Sequence, residues 1–232
     1  VLKQERAVRT LRSLVHAAAE AFQERGYVQA RLAEISAAAG VSTGALHFHF
    51  ASKAALASTV QSTAAVSLRA AAHAATLRPG MDALQRLINA SHALADTLRH
   101  DVVARAGVQL NGDPACETEW DMCQEWQKYV QRLLAQAADE HLLAEGAALH
   151  DAAASIVAAT TGMELLARND AEWLSPETLT RFWEVVLPSL ATPAALTMLD
   201  LAGAHPGGRG TARGTQRSLD RTTRSPHPIL TG

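Results

Sequence analysis

The chain of 232 residues is long enough for one or two domains, and its 48 % apolar share leans on alanine, the best helix former, with aromatics at only 4 %, so sheets are not expected. No run reaches the ~20 apolar residues needed to span a bilayer, and the two cysteines, Cys116 and Cys123, make no disulfide framework, which points to a reduced, cytoplasmic protein. The net charge of −2 hides a polarity: residues 1–60 sum to +3, residues 61–202 to −9 and the remainder to +4, suiting a phosphate-facing head on a body that stays off nucleic acid.

Helical periodicity runs through the chain. Leu11, Leu14, Val15, Ala18 and Phe22 predict a first amphipathic helix, which Gly26 can end with a positive φ. A short helix is expected over about 32–39, with Leu32 and Ile35 inward, then a tight turn at Gly40 and a buried Val41. Ser42 can cap a third short helix ending near Phe50, and Ser52 a longer one carrying Leu56, Val60 and Leu68. Arg78-Pro79-Gly80 interrupts the pattern, which resumes with Leu84, Leu87, Ile88, Ser91, Ala95 and Leu98. A shorter helix over about 101–110 precedes the breaker Asn111-Gly112-Asp113-Pro114. Trp120, Cys123, Trp126, Val130, Leu133 and Ala137 mark a long helix, and Ile156, Val157, Thr160, Met163 and Leu166 another. Leu179, Phe182, Trp183, Val186 and Leu190 mark the last, which Pro188 kinks or shortens. Residues 203–232 lack periodicity and read as a disordered tail. The expected fold is all-α: a three-helix head over 1–56, then a helical bundle over 57–202 for ligand binding and dimerisation.

Three short helices with a glycine at the turn before the third describe a helix-turn-helix over about 32–50. A helix that enters a major groove needs small and polar residues on its exposed face. Ser42, Thr43, Gly44, Ala45, His47 and His49 supply them, while Leu46 and Phe50 are spaced to pack inward. Lys53 opens the next helix, where a cation can meet a phosphate, and Lys3, Arg6, Arg9 and Arg12 can clamp the backbone. His47 and His49 point about 200° apart on a helix and cannot share a metal.

Several spaced residues carry a resemblance: Ala17-Ala18-Ala19 with Phe22, Gly26-Tyr27, Glu34-Ile35, Ala39-Gly40-Val41, and Gly44-Ala45-Leu46-His47-Phe48-His49-Phe50 with Ser52-Lys53. Over about the first 56 residues the chain resembles the tetracycline-repressor (TetR) family. Lys3-Gln4-Glu5-Arg6-Ala7, the stretch from Asp101 to Val108, and Trp126 narrow the resemblance to the γ-butyrolactone receptor subgroup of actinobacteria, pseudo-receptors included. The resemblance implies a dimeric repressor on a near-palindromic double-stranded DNA operator, released by a small molecule, and controlling antibiotic genes. It places Thr43 and His47 where a lysine and a tyrosine usually meet DNA, and Arg31 where a threonine usually caps the second helix. Losing that cap costs on the order of 1 kcal/mol, while Arg31 can add a phosphate contact.

The resemblance also implies that Trp126 packs against the effector; its indole N–H can donate to a carbonyl. Trp120, Met122, Val108, Leu110, Leu87 and Ile88 are candidates for the same pocket, with Thr160 and Thr161 as hydroxyls that either orient a lactone or bond back to their own helix. The last helices of the family pair across a two-fold axis, which points to Phe182, Trp183, Val186 and Leu190 as a dimer interface. Two turns of helix separate the cysteines by about 10 Å, beyond disulfide reach, so they read as buried inert thiols. No metal, cofactor or membrane partner is expected. The effector remains open between a γ-butyrolactone, another lactone, an antibiotic and an efflux substrate. An α-helical enzyme would need converging acid, base or nucleophile groups, and no such motif is present.

Overall fold

The computed structural model describes residues 2–118 and 121–203, with side chains from residue 5 onward. Ten α-helices are found among them and no strand. The first three are α1 (Leu2–Gln29), α2 (Leu32–Ala38) and α3 (Thr43–His49). Leu14, Ala18, Phe22, Ile35 and Leu46 are buried together, as the spacing requires, whereas Leu11 lies at the rim and is exposed. Gly26 breaks α1 with φ +76°, and Gly40 turns the chain between α2 and α3 with φ +70°, both in the region that favours glycine. Ser42 and Ser52 cap their helices by accepting from Ala45 N and Ala55 N, each at 3.1 Å. Arg31 stands at the N-cap of α2 without a side-chain cap bond.

The long α4 (Lys53–Ala75) leads from the head into the body, where α5 (Ala83–His100) and α6 (Val102–Asn111) pack on it. Asp101 caps α6 twice, from Val103 N and Ala104 N, and its other oxygen accepts from Ser67 of α4 at 3.2 Å. The α4–α6 seam is tight because Gly107 has no side chain: an added Cβ would collide with Ala64 Cβ and lie 3.3 Å from Val60 O. The apolar cluster of the head therefore continues through Leu56 and Val60 of α4 to Ala106 and Leu110 of α6, and it also takes in Cys116.

A second cluster joins α5 to α7 (Met122–Asp139), α8 (Leu149–Ala167) and α9 (Pro176–Val186). At its centre lies Trp183, fully buried, with its indole N–H donating to Ser91 Oγ at 2.9 Å. Pro188 ends α9 in a 3-10 turn (Leu187–Ser189), as expected of a residue that cannot continue the ladder. α10 (Pro193–Met198), capped by Thr192, and the 3-10 turn Ala171–Leu174 have no counterpart among the elements expected from periodicity. Beyond α10 the chain folds back on α5: Gln85 bonds both N and O of Asp200, and His92 Nε2 meets Leu201 O at 3.0 Å. Of the tail expected to be disordered over 203–232, Gly203 is ordered and buried against His92, and residues 204–232 lie outside the described residues.

Candidate functional site

Two places in the molecule carry chemistry. The first is the outer face of α3, where Thr43, Gly44, His47 and Phe48 are exposed and Ala45 and His49 half-buried. Thr43 Oγ1 is also within 3.2 Å of Ser36 Oγ, a buried hydroxyl of α2 that donates to Ala33 O, so one group ties the two helices of the turn together. Phe48 is 85 % exposed, its ring held only edge-on against His49 at 5.4 Å. An aromatic ring left in water on a helix of this shape suits contact with a thymine methyl. The signal was in the spacing: with Leu46 and Phe50 inward, Phe48 has to point out.

Arg6, Arg9, Arg12 and Arg31 are exposed and pair with no carboxylate among the described residues. Arg25, by contrast, is held by Glu34.

The second place is a cavity of about 1220 Å³ lined by α4 to α9. Leu68, Ala72, Ala95, Leu98, Val108, Trp126, Leu133 and Met163 make most of its apolar wall. Trp126 Nε1 donates to Thr160 Oγ1 at 2.9 Å, and that hydroxyl donates in turn to Ile156 O at 2.8 Å. Tyr129 stacks on Trp126, with ring centroids 5.8 Å apart and planes 18° from parallel. Burial pushes the Tyr129 phenol up from its ordinary range, so it serves as a neutral hydroxyl. Ion pairs seal the edges: Arg69 grips both oxygens of Glu125, and Arg168 holds Glu164. The segment from Asn111 to Asp121 touches both the cavity and the buried core of the head. Its Asn111, Gly112, Thr118 and Asp121 line the cavity, while Cys116 is buried in the head cluster and accepts from Gln61 Nε2 at 3.6 Å. No group of His, Cys and carboxylates able to hold a metal occurs among the described residues, and no helix there is long and apolar enough to cross a membrane.

Residues 14–60 match the family of bacterial regulatory proteins, tetR family. Over 204 residues the chain is 31 % identical to the A-factor receptor protein of Streptomyces griseus, covering 87 % of this chain and 71 % of that protein. The chain belongs to the TetR family. Among solved structures it resembles a γ-butyrolactone receptor described as ArpA-like, with TM-score 0.75 and 26 % identity over 85 % of this chain and 96 % of that one. TylP, a TetR regulator from Streptomyces fradiae, is similar at TM-score 0.66 and 32 % identity over 84 % and 93 %. CprB from Streptomyces coelicolor, solved with its biological operator sequence, is similar at TM-score 0.71 and 26 % identity over 85 % and 96 %.

Within this TetR-family fold several expected site residues stand elsewhere. Lys53 does not reach out to phosphate: its ammonium donates to Tyr27 O, Val28 O and Ala30 O at 2.8, 3.0 and 3.2 Å and lies over the Tyr27 ring. All three donors are spent on carbonyls at the end of α1, where a cation is favourable. Leu87 and Ile88 face the α5–α7–α9 core and Leu110 the head cluster, so none of the three lines the cavity. Val108, Met122, Trp126, Thr160 and Thr161 do line it. The Trp126 N–H, however, is already committed to Thr160 and is not left for a ligand carbonyl. Trp183 and Leu190 are inside their own protomer, because indole and leucine fill the core behind α5; Phe182 and Val186 are only half-buried, and neighbouring Val185 is 78 % exposed. Of the thiols, Cys116 is buried and Cys123 exposed at the cavity beside Thr161, so the pair neither shares a helix nor shares burial. Trp120 and the Lys3 side chain lie outside the described residues.

Proposed function

We propose that the chain is a ligand-responsive transcriptional repressor, dimeric on a near-palindromic operator and released by a small signalling molecule of the γ-butyrolactone type. In this reading residues 1–56 read DNA, and 57–202 bind the effector and pair the protomers. The single observation that carries it is the joining of an exposed α3 to a large apolar cavity through one continuous helix, α4. Ser42, Thr43, Gly44, Ala45, His47 and His49, with Phe48, face the groove, and Lys3, Arg6, Arg9 and Arg31 reach phosphates. Lys53 positions α1 against α4. Trp126 contributes an apolar ring, not its N–H. Phe182, Val186 and Val185 belong to the face that meets the partner protomer. The relatives support this, one named for the A-factor, one a γ-butyrolactone receptor and one solved on its operator. The protein acts in the cytoplasm, controls antibiotic genes and catalyses nothing.

Effector in the cavity displaces α4, and with it the spacing of the two heads. A ligand shifts that equilibrium only by its differential affinity for the two states. The test is operator selection from random duplexes followed by salt-titrated binding, with and without culture extract of the source organism. Sequence-specific binding relieved by an extract fraction is expected. Binding that ignores sequence would overturn the repressor reading.

A further inference from the structure

The cavity has a polar end that the apolar wall does not explain. On α7, Tyr129, Arg132 and Gln136 follow one another at helical spacing along the cavity, and Thr76 at the C-cap of α4 and Arg86 of α5 close the same end. Gln136 Oε1 is buried there with no hydrogen-bond partner among the described residues. A buried acceptor without a donor costs about 1–3 kcal/mol, so it is a place where a ligand hydroxyl or N–H gains. Arg132 has no carboxylate partner among the described residues; its guanidinium lies over the Tyr129 ring, 5.0 Å from the centroid. Arg86 is held in place by Glu140 at 3.0 Å. Next to Tyr129, at Trp126, the hydrogen bonds are closed among protein groups.

We propose that this end of the cavity recognises an effector head group carrying both an ionised carboxylate and a hydroxyl, the chemistry of a γ-hydroxy acid rather than of its closed lactone. The carboxylate meets Arg132, the hydroxyl donates to Gln136 Oε1, and the apolar tail runs along Trp126 toward Met163. A closed lactone ring has no charge for the guanidinium and offers acceptors alone, so Gln136 stays unpaired. Charge-assisted bonds to a planar guanidinium are stronger than those to a neutral carbonyl. The proposal rests on reading the cavity as the effector site and departs from the γ-butyrolactone reading in one respect, that the ring of the effector is open.

The probes are γ-hydroxydecanoate, its lactone γ-decalactone, and decanoate, which lacks the hydroxyl. Their binding to the full-length protein is measured by calorimetry, and operator release is measured separately by fluorescence anisotropy. The hydroxy acid is expected to bind at least about tenfold more tightly than the lactone, the gain of one charge-assisted pair. Arg132→Gln removes that preference and Arg132→Lys keeps most of it. Gln136→Leu weakens the hydroxy acid but leaves decanoate unchanged. Unaltered operator binding by each variant without ligand shows that it is folded. Lactone binding as tight as the acid, or variants that leave the preference intact, overturns the proposal. Lactone that binds and releases operator while the acid does neither overturns it and leaves the repressor reading standing. Acid that binds with these preferences yet releases no operator supports the head-group assignment and sinks the release mechanism. Failure of all three probes to bind overturns the proposal.

Discussion

On the outer face of α3 Thr43, His47 and a bare phenyl ring are exposed, and Arg6, Arg9, Arg12 and Arg31 of the head have no carboxylate partners among the described residues. In the cavity most comparable groups are already paired: the Trp126 indole with Thr160, Arg69 with Glu125, Arg168 with Glu164. The first region is built to be completed by a polyanion, and the second is largely complete before a ligand arrives. Substitutions on α3 should therefore act on operator affinity with little effect on stability. Substitutions behind the cavity should act on stability, or on the coupling between the two places.

The largest effect is expected at Trp183. Its replacement by alanine empties the centre of the second core and strands Ser91, costing about 3–5 kcal/mol, read by urea unfolding at fixed protein concentration. A loss well below that would return Trp183 to the protomer interface. Gly107→Ala comes next: the added methyl meets Ala64 and pushes α4 from α6. Overpacking of this kind costs about 1–3 kcal/mol, and operator affinity should fall without any effector, because α4 carries the head. Stability loss with unchanged operator binding would show that the seam does not position the head.

Phe48→Ala should weaken specific operator binding about tenfold, on the order of one base contact, at every salt concentration and with thermal stability unchanged. The smallest contrast separates two cations. Arg9→Ala should lower the slope of log affinity against log salt by about one. Lys53→Ala should leave that slope unchanged and cost about 1 kcal/mol of stability through the lost cap on α1. If Lys53→Ala changes the slope instead, the lysine leaves the carbonyls for phosphate in the complex.

What could be seen in the sequence was local. Gly40, Ser42 and Ser52 act within four residues of themselves, so the helix-turn-helix and its caps were legible, as was the stop at Pro188. Periodicity marks which face of a helix is apolar but not what covers it. Trp183 and Leu190 sit on an apolar stripe that serves a core and an interface equally well, and only the packing of α5 behind α9 decides. The same limit applies to Leu87, Ile88 and Leu110, apolar residues that line the wrong side of their helices for the cavity. Lys53 depends on carbonyls more than twenty residues away, and Gln136 on a cavity closed by other helices. Neither has a local signature. Phe48 did, since its two inward neighbours fix its direction.

The proposed mechanism has effector in the cavity change the separation of two heads on one dimer. It is tested most directly by placing a single spin label on α3 of a cysteine-free variant and measuring the distance between labels in the dimer. On the operator the two recognition helices should lie about 34 Å apart, one turn of DNA. With effector the distribution should shift away from that value at the concentration that releases DNA. Release of operator with an unchanged distance distribution would rule out that mechanism.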